Sequence, residues 1–188
     1  AFDELPPPNA ITPIIVALEG QSLRSLTTSA TTAFDLDGSG RESRWSWITP
    51  DAGVLVWDPT GEGKITSGRQ LFGSVSWQLN FANGYEALDA LDDDRDHTLR
   101  GKELAGLSLW FDRDSDGVCD AGEVAPLAKF GVVSIAARFT AFEGDSPVNA
   151  RGVVLANGKR VPSYDWISAR DAGSACEAAV RVVLSEGR

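Results

Sequence analysis

The stretch FDRDSDGVCDAGEV, Phe111 to Val124, places an oxygen-bearing side chain at nearly every second position around one central glycine. Carboxylates crowded this closely raise one another's cost of ionisation unless water or a cation neutralises them. The spacing selects a cation. With Asp112 as position 1, Asp114 stands at 3, Asp116 at 5, Gly117 at 6, Val118 at 7, Asp120 at 9 and Glu123 at 12. These are the offsets of an EF-hand loop, in which alternate side chains and a position 7 carbonyl wrap a calcium ion and a bidentate Glu closes the shell. Gly117 suits the sharp turn because it tolerates positive φ. A solvated acidic turn would account for the charges, but not for the Gly and the Glu at their offsets.

A second stretch, DDDRDHTLRGKE, repeats the pattern with Asp92 at 1, Asp94 at 3, Asp96 at 5, the Thr98 carbonyl at 7 and Glu103 at 12. His97 replaces the expected Gly at position 6, and His accepts left-handed backbone more readily than most residues. Arg95, Arg100 and Lys102 offset part of the charge. Only Leu104 to Phe111 separate the two loops, too short a run for both an exit helix and an entry helix. The expectation is one short buried helix or turn shared by a compact pair of EF-hand-like loops. After Glu123, APLAKFG reads as a final short helix capped by Gly131.

Two further loops are less complete. DLDGSGRE offers Asp35, Asp37, Ser39 and the Arg41 carbonyl at positions 1, 3, 5 and 7, with no acid at 12 and Asp51 as the candidate to close the shell. DPTGEGKITSGRQ offers Asp58, Thr60, Glu62 and the Lys64 carbonyl, but Arg69 stands at position 12, where a cation opposes a second cation. That loop is expected to keep its turn without its metal. Two calcium ions are therefore expected, at 92–103 and 112–123, with 35–51 as a candidate third set.

The other segments read as strands and turns. TPIIVAL, the Trp45–Ile48 run and the Val54–Trp57 run are β-like, and Asn157-Gly158 between two β-like arms signals a hairpin. Asn83 to Leu91 has helical spacing with Asn83 as its cap. VVSIAARFTAF is a strand candidate and the Ala-rich end, AGSACEAAVRVVLSEGR, a helix candidate. Trp45, Trp47 and Trp57 alternate as if on one sheet face. The fold class expected is α+β, in one domain over 12–188 behind a Pro-rich lead-in at 1–11. Within that domain, 12–82 is β-rich with acidic loops, 83–130 holds the paired loops, and 131–188 holds a β-hairpin and a C-terminal helix.

Composition narrows the partners. A formal charge of −10 and a pI near 4.5 leave no basic face for a nucleic-acid backbone, and no run is long and apolar enough to span a membrane. The chain has no methionine, so Ala1 is not an initiator, and removal of a signal peptide would place the protein outside the cytoplasm. Cys119 and Cys176 would allow one disulfide there; a buried free thiol at Cys119 is the alternative. With His97 the single histidine and seated in a calcium loop, no Ser-His-Asp or His-rich zinc set is evident.

Taken in order, TPIIVALEG, FDLDGSG, WSWITPDAGVLVWDPTGEGKI, QLFG, NGYEAL, the two acidic loops, LAKFGVVSI and VPSYDWI resemble the EF-hand-like calcium module of bacterial secreted RTX-type proteins. The same module is the self-processing unit of iron-regulated RTX proteins. The resemblance implies a secreted, calcium-dependent fold. It also implies an acidic loop at VALEGQSL, where Ala17, Glu19 and Gln21 stand in place of most of the expected Asp and Asn residues. Self-processing members cleave an Asp-Pro bond through an Asp anhydride that a lysine amine can capture. Here the matching dipeptide is Thr12-Pro13, and a threonine hydroxyl cannot form that anhydride, so no catalytic residue is assigned. The function expected is an extracytoplasmic calcium-binding module that calcium folds and stabilises after export. The alternatives are a calcium-dependent adhesion domain, with an aromatic patch near Trp77 or Trp166 for a protein or cell-wall polymer, and a diverged Asp-Pro self-processing module.

Overall fold

The runs IIV, GVLVW and LSLW are apolar at nearly every position and rich in β-branched residues, the signature of strands covered on both faces. The computed structural model describes residues 10–171 and shows them as such. The strands are β1 (Ala10–Ile11), β2 (Ile14–Val16), β3 (Thr27–Phe34), β4 (Ser43–Ile48), β5 (Gly53–Trp57), β6 (Thr98–Arg100), β7 (Leu107–Trp110), β8 (Val124–Pro126), β9 (Val132–Ala136), β10 (Ala141–Glu143), β11 (Ser146–Leu155), β12 (Arg160–Asp165) and β13 (Ser168–Ala169). Two short helices, α1 (Leu23–Leu26) and α2 (Gly84–Asp89), and four 3₁₀ turns complete the described residues.

Nine strands form one antiparallel sheet in the order β6-β9-β11-β12-β2-β5-β7-β8, with β10 also paired to β11. The period of two in a strand sends alternate side chains to opposite faces. Ile15, Val54, Val56 and Trp110 enter one core, packed against the separate β3–β4 hairpin through Phe34, Trp45 and Trp47. Ile14, Val16, Leu55, Leu107 and Leu109 enter the other, packed against α2 through Tyr85, Ala87 and Leu88. The sheet is thus the middle layer, with a hairpin on one face and a short helix on the other.

Helix α2 is fixed at both a cap and a side chain. The Asn83 side-chain Oδ1 accepts from the Glu86 amide at 3.1 Å, satisfying one of the amides a helix start leaves open. The buried Tyr85 hydroxyl donates to the Ser163 carbonyl at 2.8 Å and accepts from the Asn149 amide at 3.0 Å, joining α2 to β12 and β11. Gly84 is needed for the approach, because a Cβ there would lie 2.6 Å from Ile14 and 2.8 Å from the Phe72 carbonyl.

The α+β expectation is overturned: the described chain is mainly β-sheet, with no EF-hand helices around its loops. The element between the two acidic loops is a 3₁₀ turn at Gly101–Leu104 followed by strand β7, not a shared helix. A strand buried on both faces has no polar alternation to distinguish it from a buried helical turn. Trp57 also departs from expectation: Trp45 and Trp47 lie together, whereas Trp57 packs in the opposite core against Phe72 and Trp77. Ala10 and Ile11, assigned to the lead-in, pair as β1 with β13. The Asn157-Gly158 hairpin joins β11 to β12 as expected, and Gly131 caps the 3₁₀ turn Leu127–Phe130 at φ +71. The predicted C-terminal helix lies outside the described residues.

Asp165, at the end of β12, is buried with its Oδ1 accepting from the Gly84 amide at 2.9 Å. Its Oδ2 and the buried Thr12 hydroxyl each lack a well-formed hydrogen bond. Burial pushes this carboxyl up to about 8 from an ordinary 3.8, with the Gly84 amide and the Thr12 hydroxyl pulling it only part of the way back. The folded chain therefore keeps a proton that the unfolded chain releases. That stabilising contribution is whole below about pH 4 and is lost as pH rises through about 8. Asp165→Asn keeps the acceptor for Gly84 and cannot ionise. Its thermal midpoint should match the wild type near pH 4 and exceed it by several degrees near pH 8; a pH-independent difference between the two melts would contradict this.

Candidate metal centre

Loop 112–123 is the connection of the β7–β8 hairpin, closed at its base by the Phe111 amide donating to the Glu123 carbonyl at 3.0 Å. Within it Asp112 Oδ1 and Oδ2 accept from the amides of Asp116 and Gly117 at 3.2 and 2.9 Å, and Glu123 Oε1 accepts from the Arg113 amide at 2.7 Å. Asp116 Oδ1 accepts from the Val118 amide at 2.7 Å. The first and last acids of the loop are thus drawn inward, and oxygens of Asp112, Asp114 and Glu123 all lie within 4.8 Å of one another, close enough to share a metal ion. Asp112 is fully buried and Glu123 is 5% exposed.

Two tryptophans make that burial tolerable. Trp47 Nε1, from β4, donates to Asp112 Oδ2 at 2.5 Å, and Trp110 Nε1, from β7, donates to Glu123 Oε2 at 3.1 Å. The rings meet edge-on, 6.1 Å between centroids. Each indole has one N–H and no acceptor, so it can orient a carboxylate oxygen without competing for a cation. Burial nevertheless raises the Asp112 pKa, opposed by the Trp47 indole and the Gly117 amide and reinforced by the nearby charge of Glu123. The sequence places Trp47 only on a sheet face; this second role is not legible there, because the ring lies 65 residues from its acceptor.

The loop is also wedged. Thr32 of β3 donates to the Ser115 carbonyl at 2.9 Å, and a Cβ on Gly117, which has φ +79, would lie 2.6 Å from the Ala33 carbonyl oxygen. Cys119 donates to the Gly63 carbonyl at 3.1 Å, tying this loop to 58–69. Cys119 is a free thiol among the described residues, and Cys176 lies outside them.

Loop 92–103 follows the same plan from α2 into β6. Asp92 accepts from the amides of Arg95 at 2.8 Å and His97 at 2.6 Å, and Glu103 Oε1 accepts from the Asp93 amide at 3.0 Å. Burial would raise the Asp92 pKa, but the amides of His97, Arg95 and Asp96 outweigh it and hold the carboxyl below its ordinary value. Oxygens of Asp92, Asp94 and Asp96 come together, and so do ligand atoms of Asp89, Asp92 and His97. His97 adopts φ +63 at position 6 and bonds Asp89 through Nδ1 at 2.8 Å. Thr98 begins β6, and Arg100 pairs with Asp96 at 2.8 Å.

All four loops share one detail: the position 1 carboxylate accepts from the position 6 amide. The pairs are Asp35 with Gly40, Asp58 with Gly63, Asp92 with His97 and Asp112 with Gly117. Every position 6 residue has positive φ. Only the two loops with Glu at position 12 add the bond from that Glu to the position 2 amide. In loop 35–46, Asp37 accepts from the Ser39 amide but is also paired to Arg170, while Asp51 is exposed in the turn before Ala52. Asp114 and Asp120 are accessible, and Asp120 donates its amide to Glu123 Oε2. In VALEGQSL, Glu19 pairs with Lys159 at 3.4 Å.

Hairpin and loop together define a β module whose turns gather carboxylates around points able to hold cations. The family model of the SPM domain matches residues 14–163, and the chain belongs to the SPM domain family. It is 31% identical over 130 residues to the iron-regulated protein FrpA of Neisseria meningitidis serogroup C. That match takes in 65% of this chain and 12% of the relative's length. The link to iron-regulated proteins implied by the motif order is supported at this level.

Removal of an indole donor should be felt at the carboxylate it serves. Trp47→Phe and Trp110→Phe leave a buried carboxylate oxygen one bond short, and each should lower unfolding stability by about 1–3 kcal/mol. Urea titration of each variant beside the wild type checks this; unchanged midpoints would show that the indole bonds do not matter.

Proposed function

We propose that this chain is a calcium-binding module in which calcium neutralises the acidic loops and locks the sheet after export. The observation that carries the reading is the inward-facing pair Asp112 and Glu123, two buried carboxylates within reach of a common cation and held in place by Trp47 and Trp110. Like charges buried this close oppose each other, and a divalent ion reverses the sign of that interaction. The loop contributes Asp112, Asp114, Asp116, the Val118 carbonyl, Asp120 and Glu123. Loop 92–103 contributes Asp92, Asp94, Asp96, the Thr98 carbonyl and Glu103. Oxygen donors throughout suit a hard cation better than a thiophilic one.

Because such a site is absent from the unfolded chain, the free energy of binding adds to folding. A chain kept loose in a calcium-poor compartment and closed in a calcium-rich one follows from that linkage. Export is supported by the motif order, which resembles secreted RTX-type proteins, together with the similarity to an iron-regulated protein. Among the described residues no helix is long and apolar enough to cross a membrane. The adhesion alternative draws less support. Trp166 is buried, and Trp77 packs edge-on against Trp57, Phe72 and Phe81. For self-processing, Thr12 occupies the expected Asp position, and the Asp58 carboxylate of the Asp58-Pro59 bond is held by the amides of Glu62 and Gly63.

Calorimetric titration of chelator-stripped protein with calcium should find two sites accompanied by a gain of structure in circular dichroism. Glu123→Gln and Glu103→Gln should each weaken one site at least about tenfold and leave the other, because each removes a bidentate closing ligand. No binding heat and an unchanged spectrum would overturn the proposal.

A further inference from the structure

We infer that Arg170 is the resident cation of loop 35–46, so that this loop is closed by a guanidinium and takes no metal ion. The loop shares the geometric plan of the other three, yet position 12 is Ser46, and Asp51 is exposed rather than turned toward Asp35. Its missing closing group leaves Asp37 facing a side chain from the far end of the domain. Arg170 forms an ion pair through Nη2 with Asp37 Oδ2, and its guanidinium carbon lies 4.7 Å from the centroid of the Trp45 ring. That Arg170 side chain is mostly shielded from water, a flat cation held between a carboxylate and an aromatic face.

The backbone holds it there. Trp45 and Arg170 form an antiparallel bridge, the Asp171 amide donates to the Arg44 carbonyl at 2.8 Å, and the Ser168 hydroxyl donates to the Ser46 carbonyl at 2.9 Å. Both Asp35 oxygens are hydrogen-bonded, one of them to a side chain from outside the loop. Asp35 Oδ1 accepts from the Gly40 amide at 3.0 Å, and Asp35 Oδ2 accepts from the Ser67 hydroxyl at 2.7 Å. A second guanidinium flanks the loop, with Arg69 Nε donating to the Gly38 carbonyl at 2.6 Å. A divalent ion entering here would meet two fixed positive charges and displace one of them from its carboxylate. The residues therefore do not fit the third calcium that the spacing of Asp35, Asp37, Ser39 and Arg41 suggested. What the loop does instead is fasten β13 to the β3–β4 hairpin without regard to calcium.

The test uses the full chain stripped of metal, with terbium as the probe ion and bound ions counted by native mass spectrometry. Asp37→Asn in the wild-type background should leave the number of bound ions unchanged. Arg170→Gln should raise it by one, and the double variant should return it to the wild-type value. Loss of an ion in Asp37→Asn, or no gain in Arg170→Gln, overturns the inference. In chelator, thermal unfolding of the two single variants and the double variant should be non-additive, as for partners in one ion pair; additive losses overturn it too. This cycle needs no metal, so a wild type that binds no terbium would remove the calcium proposal while leaving the arginine assignment to be judged on the melts.

Discussion

The hydrogen bonds from Trp47 and Trp110 to Asp112 and Glu123 are the contact on which the two halves of the structure meet. One indole comes from the hairpin that covers the sheet and the other from the sheet itself, so closing the acidic loop also seats the hairpin. Each carboxylate is buried where an unpaired charge is costly, and neither forms an ion pair with a cationic side chain among the described residues. This buried, uncompensated pair of acids is the feature on which the calcium proposal rests. At both positions the indole combines a large apolar edge for the core with one directed donor.

The four loops give a graded series. All keep the turn in which a first carboxylate accepts from an amide five residues on, with positive φ at the accepting turn's sixth position. The two loops with a closing Glu bind that residue back to their own second amide. The other two are completed by groups from elsewhere: Arg170 and Ser67 at loop 35–46, and Gln70 with the Cys119 thiol at loop 58–69. The turn thus forms in all four loops, with or without a closing Glu.

The loops were legible in sequence because ligand spacing is local. Positions 1, 3, 5, 6 and 12 report directly on backbone turns, and even His97 was readable from its tolerance of left-handed φ, which the structure gives it at +63. The Asn83 cap and the Asn157-Gly158 hairpin were legible for the same reason. The surroundings were not. Leu107–Trp110 is buried on both faces, Ser108 included, so its pattern does not show a strand and the segment reads as a short buried helix or turn. The partners of Asp112 and Asp37 lie 65 and 133 residues away in the chain, and no spacing rule connects them.

The central claim is that metal closes the β7–β8 hairpin around its own carboxylates, and amide hydrogen exchange followed by mass spectrometry, with calcium and with chelator, tests it most directly. The account predicts strong calcium-dependent protection of the amides of Trp110, Phe111, Glu123 and Val124, with the β11–β12 hairpin protected under both conditions. Equal protection of the β7–β8 hairpin with and without calcium would contradict it.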